Sequence, residues 1–324
     1  MKQATLFSRQ EIADIVDVVR LSPSVHNIQP WLVTLSDTTV SIQIDERHVL
    51  KEGDPTGRET VISLGIFCEA FRLVALEKGL STTRLTYKNR QATLKLTRLR
   101  RKPLTKTSTT ELLRRRSTDR SIYRPVVISK ADVTALKTVS KGLRATVHVI
   151  VDKSVLQTIA ELTGHGIALA LSNPSFRKEL SHYLLLPQSQ KKRGIAVKSL
   201  YIPSLLADME PLLMSLGIGT GAEVRLEKKR WLSASAVVII SGEGDLERYW
   251  LDVGRAYLRA SLAIENLGLS QATSAALVEA SNYHEDVEAI LGTRQRILSV
   301  IRIGKGRKSR HYSPRIGVKD ILGD

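Results

Sequence analysis

A single cysteine, Cys68, and the lack of any apolar run long enough to span a bilayer set the first limits on this chain of 324 residues. One thiol excludes an internal disulfide framework. Its place among Ile66, Phe67, Ala70 and Phe71 reads as a small buried hydrophobe, not a nucleophile. The longest apolar stretches, such as 236–240, are strand-sized, and the first residues lack a signal-peptide core, so cytoplasmic residence is the expectation. The seven histidines are scattered without ligand spacing, and no Gly-x-Ser-x-Gly elbow occurs, which removes metal-centre and serine-hydrolase readings. Aromatics make up only 5% of the chain. None interleaves with the basic runs as a single-strand stacking platform requires. Redox chemistry in such a chain needs a borrowed cofactor.

Acidic residues are also in deficit, 32 against 49 basic ones, for a net charge of +17. The excess is uneven: basic side chains crowd 84–124, opposed only by Glu111 and Asp119, and crowd again over 302–319. Such patches draw polyanions, so nucleic acid and anionic surfaces enter as partners, as do nucleotide cofactors. The main reading is a solvated face.

Two short motifs carry most of the chemistry. Residues 22–31, Ser-Pro-Ser-Val-His-Asn-Ile-Gln-Pro-Trp, follow a helix expected over 9–20, where Ile12, Ile15, Val16 and Val19 recur at helical spacing. The turn can place small hydroxyls, amides and backbone N–H groups along the edge of a planar heterocycle, with Trp31 packed in the core. Residues 116–120, Arg-Ser-Thr-Asp-Arg, bring two guanidiniums and two hydroxyls together. They form a forked donor set for a phosphomonoester that one lysine cannot match. The plainer alternative is an Arg-rich helix end facing solvent or acidic neighbours.

Both motifs resemble those of the FMN-dependent nitroreductase family, an Arg-x-Ser/Thr-x-Arg clamp and a Pro-Ser-x-x-Asn-x-Gln-Pro-Trp turn. In ordinary members the clamp comes first, and two subunits share two flavins across their interface. Here the turn precedes the clamp; no clamp lies before Ser22 and no second Pro-Trp turn follows residue 120. That order resembles the fused, pseudo-dimeric Acg subgroup. The resemblance implies FMN as cofactor, NAD(P)H as electron donor, and hydride transfer through flavin N5 to an electron-poor small-molecule acceptor, nitroaromatic or quinone-like. No catalytic side chain is implied. It places Pro23, Ser24 and Asn27 at the ring edge, with Gln29 orienting the turn, and Arg116, Ser117, Thr118 and Arg120 on the phosphate. Arg315, in the late segment 313–317, is a further phosphate candidate, with Arg310 in reserve. Arg177 and Lys178 are loosely matched candidates near flavin N1, and 271–274 is a weakly recognisable later ring-edge segment. His26 departs from the pattern at a variable position; a place near the flavin or substrate is one reading, and a surface or satisfied histidine is the main one. The segment 54–59 resembles a recurring element of the subgroup and is read as structural.

An internal repeat agrees with fusion. Gly65 to Gly79 and Gly254 to Gly268 enclose equal stretches, each with apolar residues at helical spacing and a closing Gly-Leu-Ser. The expected fold is α+β, nitroreductase-like: two fused half-units, 1–104 and 105–324, each with a central, mainly antiparallel sheet flanked by helices. A polar insertion at about 186–201 is a candidate lid, which leaves a flavin-sequestering protein with little turnover as an alternative. A basic nucleic-acid-associated protein with a decayed flavin site is a second alternative. A fused pair completes its site without a partner, so a monomer or weak dimer is expected, with no membrane association. The rival motif Gly-x-Gly-x-x-Ala at 217–222 suggests a Rossmann half-site, but the helix it needs, 223–230, is short and highly charged.

Overall fold

Two helices of 20 residues each, Arg58–Glu77 and Glu247–Asn266, cross at the centre of the molecule and carry the repeat. Each is followed, after one capping residue, by a left-handed glycine, since Gly79 and Gly268 have φ of 85° and 69°. At the crossing the glycines Gly65 and Gly254 face the partner backbone. A Cβ on Gly65 would lie 2.1 Å from the Leu251 carbonyl, and one on Gly254 would lie 2.1 Å from the Ile62 carbonyl. Leu251 precedes Gly254 by the same step by which Ile62 precedes Gly65, so the contact is reciprocal, as an isologous interface between two like units requires. The computed structural model describes residues 7–83, 85–103, 107–202, 204–307 and 312–323.

A sheet packs on each side of this crossing. In the first, Trp31–Leu35, Thr39–Ile44, Gln91–Arg98 and Leu80–Thr82 lie side by side in that order, all antiparallel, with Thr86–Lys88 also paired to Gln91–Arg98. Its strands alternate; Val40 and Ile42 point into the core between half-exposed neighbours. In the second, the order is Ser270–Thr273, Arg296–Gly304, Ala236–Gly242 and Ala145–Ile150, again antiparallel. Ala236–Gly242 is buried throughout. Ala236, Val238 and Ile240 join the central core, whereas Val237 and Ile239 join an outer core with Ile159 and Trp231. The second sheet is therefore covered on both faces.

The α+β expectation holds, as does the helix expected over 9–20, here Arg9–Val19; a Trp31–Ile44 hairpin and a Ser129-capped helix, Lys130–Thr138, complete the pattern. The expected boundary between halves, at 104 and 105, falls on residues 104–106, which lie outside the described residues. The short helix Val318–Leu322 returns from the far end of the chain to pack on Trp31–Leu35 and Arg9–Val19. Between 173 and 232 the structure is more helical than the sequence suggests. Pro174–His182, Glu210–Leu216 and Thr220–Leu232 are helices, and the segment around 186–201 is pinned by a parallel pairing of Leu184–Leu185 with Ile195–Ala196. The Gly-x-Gly-x-x-Ala motif joins two of these helices, with Gly217 and Gly219 both at positive φ. No strand precedes it, so the Rossmann alternative falls.

Candidate functional site

The turn after the first helix holds three non-glycine residues in the left-handed region: His26 at φ 42°, Asn27 at 56° and Gln29 at 51°. Each such residue costs about 1–3 kcal/mol and persists only where its surroundings overdetermine it. Ser24 Oγ accepts from Gln29 N at 3.0 Å, and Ser63 Oγ, on the first central helix, accepts from Val25 N at 3.1 Å. Asn27 Nδ2 donates to the carbonyls of Gly194 (2.8 Å) and Pro314 (2.9 Å). Gln29 Nε2 donates to the Asn27 and Lys192 carbonyls at 3.2 and 2.7 Å, and its Oε1 accepts from Ile316 N at 3.0 Å. The turn is thus clasped from one side by 192–194 and from the other by the chain's last segment.

The arginine motif leaves the helix Thr109–Arg115 and runs beside the edge strand Ser270–Thr273, with Thr118 bridged to Gln271 and Asp119 N donating to the Gln271 carbonyl at 2.8 Å. Arg116 is 6% exposed, and its Nε and Nη1 have no hydrogen-bond partner among the described residues. Leaving a buried charged donor unmet costs more than the 1–3 kcal/mol of a neutral one. Burial pulls the Arg116 and Arg120 guanidiniums below their usual range. Arg315 Nη1 donates to Asn27 Oδ1 at 2.7 Å and to the Ser313 and Pro314 carbonyls, and its Nη2 reaches the Leu21 carbonyl at 3.3 Å. Burial, then the charges of Arg116 and Arg20, lower it to about 9.

These pieces line one cavity of about 780 Å³. Pro23, Ser24, Asn27, Arg116, Ser117, Thr118, Arg120 and Arg315 all face it. Gln29, fully buried, stands behind the wall and holds the turn. Arg310 lies outside the described residues. Arg177 turns elsewhere, donating to the Leu171 and Ser172 carbonyls at the end of the helix Lys153–Ser172. Of the 271–274 segment, Thr273 and Ser274 reach the cavity, while Gln271 is tied to Ser261.

Sequence reasoning passed over other parts of the wall. His26, expected at the surface or satisfied, lines the cavity between the rings of Phe176 and Tyr183, each with its centroid 6.4 Å away. Its Nδ1 is buried without a partner, and burial, opposed by Glu179 and aided by Arg120, lowers the ring to about 4. The imidazole is neutral at pH 7. Phe176, Leu180, Leu184 and Met214, all outside the expected insertion at 186–201, also line the cavity, a contribution whose only sequence trace is the helical spacing of apolar residues beyond 173. Glu59, assigned with its neighbours to a structural turn, opens onto the cavity, as does Tyr257 from the second central helix. The volume falls in the range of small-molecule sites. Buried, unsatisfied guanidinium N–H groups beside two hydroxyls suit a phosphomonoester, and the turn suits the edge of a flat ring.

No family model matches the chain. Over 75 residues, 23% of its length, it is 32% identical to a protein named as an NAD(P)H nitroreductase, acg, of Mycobacterium tuberculosis, and the match spans 23% of that relative. Among solved structures it is similar to the FMN-dependent nitroreductase NfnB of Mycobacterium smegmatis in complex with NADPH, at 18% identity and TM-score 0.44, covering 66% of this chain and 96% of that one. The FMN- and NADPH-dependent NfnB of Sphigopyxis sp. strain HMH is 16% identical with TM-score 0.45, over 67% of this chain and 99% of that one. A BluB-like flavoprotein of Clostridium difficile 630 is 10% identical with TM-score 0.46, over the same shares of the two chains.

Proposed function

We propose that this nitroreductase-like chain is an FMN-dependent oxidoreductase that holds its cofactor in the 780 Å³ cavity and takes NAD(P)H as donor. Arg116, Ser117, Thr118 and Arg120 bind the phosphate, with Arg315 behind them steering Asn27. Pro23, Ser24 and Asn27 line the ring edge. Bound FMN would supply a two-electron carrier between NAD(P)H and an electron-poor acceptor, nitroaromatic or quinone-like. The chain's own work is to position, desolvate and exclude water. The observation that carries this reading is Arg116: a guanidinium kept buried with Nε and Nη1 unmet is a standing demand for an anion at the cavity wall. The matched relative is covered only in part, so the reading rests on the site. Purified protein is expected to carry or take up FMN, visible in its absorption spectrum, and Arg116→Ala with Arg120→Ala is expected to release it. Full retention in the double variant would put the phosphate elsewhere, and a colourless protein that ignores added FMN would leave the nucleic-acid alternative.

One observation favours a second reading, a flavin-sequestering protein with little turnover. The insertion is latched to the turn by Asn27 Nδ2 to the Gly194 carbonyl, by Gly194 N to the Asn27 carbonyl at 3.2 Å, and by Gln29 to Lys192. Anaerobic NADPH separates the two readings: rapid bleaching belongs to an enzyme, persistent colour to a store.

A further inference from the structure

One face of the Arg58–Glu77 helix forms a wall of the cavity, presenting Glu59, Ile62, Ser63 and Ile66 at helical spacing. Ser63 ties this face to the turn through Val25 N, so Glu59 stands one helical turn from the loop that carries Asn27. Its neighbours in the 54–59 motif have partners of their own. Asp54 accepts from Glu59 N, Thr60 N and Thr60 Oγ1, and Arg58 pairs with Glu279 and Asp245. The Glu59 carboxyl has no hydrogen bond or ion pair among the described residues, and it opens onto the cavity. The groups that face it are Arg58 on its own helix, Asp54 from the preceding turn, Glu279 from Ala276–Glu279, and Tyr257 from the second central helix. Burial, then the charges of Glu279 and Asp54, push its carboxyl well above the usual range, and Arg58 offsets this only in part.

We propose that Glu59 is the proton donor of this cavity, and that the acceptors it serves are neutral molecules, quinones or uncharged nitroaromatics, whose oxygen takes that proton. The proposal rests on the flavin reading above. Reduction of a quinone to a hydroquinone consumes one hydride equivalent, which reduced nicotinamide supplies, and one proton. In the step assigned to Glu59 the carboxyl O–H bond breaks, an O–H bond forms at the quinone oxygen, and the carboxylate regains a proton from water. A carboxylated acceptor would instead meet, once the proton has left, the Glu59 carboxylate as a like charge.

Two measurements on the FMN-loaded protein test it. Infrared difference spectra at pH 7 should show the C=O band of a protonated carboxyl that is lost in Glu59→Gln. With NADPH in excess, the ratio of 1,4-benzoquinone to ferricyanide reduction rates should fall on the order of 10²-fold in Glu59→Gln, because ferricyanide takes an electron without a proton. Glu59→Asp should recover part of that ratio. A protonated-carboxyl band that survives the Gln substitution, or an unchanged rate ratio, overturns the proposal while leaving the flavin reading intact. A wild-type protein that holds no FMN removes that reading, and the proposal with it.

Discussion

At the scale of single residues, the site is written as unmet demands. Arg116 keeps buried a guanidinium whose Nε and Nη1 find no partner among the described residues, so it should be a stability liability until an anion arrives. Arg116→Met is therefore expected to leave the melting temperature of the flavin-free protein unchanged or higher. Free FMN at 100 times its Kd should stabilise the wild type by about 2.7 kcal/mol and the variant not at all. Calorimetry with and without FMN reads both; a variant that still gains the full increment would remove Arg116 from the phosphate. His26 makes a second demand. Its ring, lowered from 6.5 to about 4, binds fewer protons folded than unfolded between those values, so its contribution is complete above pH 6.5 and is lost as pH falls toward 4. The loss is on the order of 3 kcal/mol. Glu59 opposes it, since a raised carboxyl contributes stability that fades as pH rises, so the comparison must be made against His26→Phe. Urea unfolding at pH 4.5 and 7 should show a shallower acid loss in that variant, and equal slopes would deny the imidazole its part.

At the scale of elements, the central helices explain why the glycine spacing was legible and much else was not. Gly65 and Gly254 sit where two backbones touch, a local requirement that any other residue would violate, so the requirement is printed in the sequence at fixed spacing. Gly65→Ala or Gly254→Ala forces a Cβ to 2.1 Å from a backbone carbonyl that cannot move as a side chain could. Each should cost about 1–3 kcal/mol or more, and the pair should be non-additive because they share one crossing. Chemical denaturation of the single and double variants measures this; additive, sub-kcal/mol effects would mean that the helices do not meet there. The turn and the clamp were readable for the same local reason. What holds them was not: Asn27 and Gln29 are fastened by Gly194, Lys192, Pro314 and Ile316, partners more than 160 residues away whose contribution is backbone carbonyl or N–H and leaves no side-chain signature. The main reading of His26 missed its burial for a related reason, since its neighbours Phe176 and Tyr183 belong to a weakly patterned helix and its C-cap, about 150 residues away.

At the scale of the whole molecule, the reciprocal crossing poses a question of number, because two like units around one axis would have two equivalent cavities. Superposing Gly65 on Gly254 places Glu59, Ile62, Ser63 and Ile66, which line the cavity, on Arg248, Leu251, Asp252 and Arg255. On that second face the polar groups satisfy one another. Asp252 pairs with Arg255 at 2.8 Å and accepts from Arg144 N, and Arg255 reaches Glu69 at 3.0 Å. Glu69 is fully buried and also meets Arg72 and Arg259 at 2.7 and 2.6 Å. Burial opposes its ionisation, but the three arginines outweigh that and hold it down to about 2. Arg259 further donates to the Val139 and Lys141 carbonyls, so the cluster also fastens the loop beyond Lys130–Thr138. Where the first face leaves the Glu59 carboxyl unmet, the second closes on itself as an ion cluster whose Asp252, Arg255 and Glu69 are paired among the described residues. The chain should therefore bind one FMN, not two, and native mass spectrometry of the flavin-loaded protein should show a single FMN per chain. Glu69→Gln, which takes the buried carboxylate from three half-buried arginines, should cost about 1.5–3 kcal/mol of stability while the remaining protein keeps that one-to-one ratio. A second FMN on the wild-type chain, or a flavin content that falls in step with the Glu69 cluster, would show that the second face is a working site and not a seal.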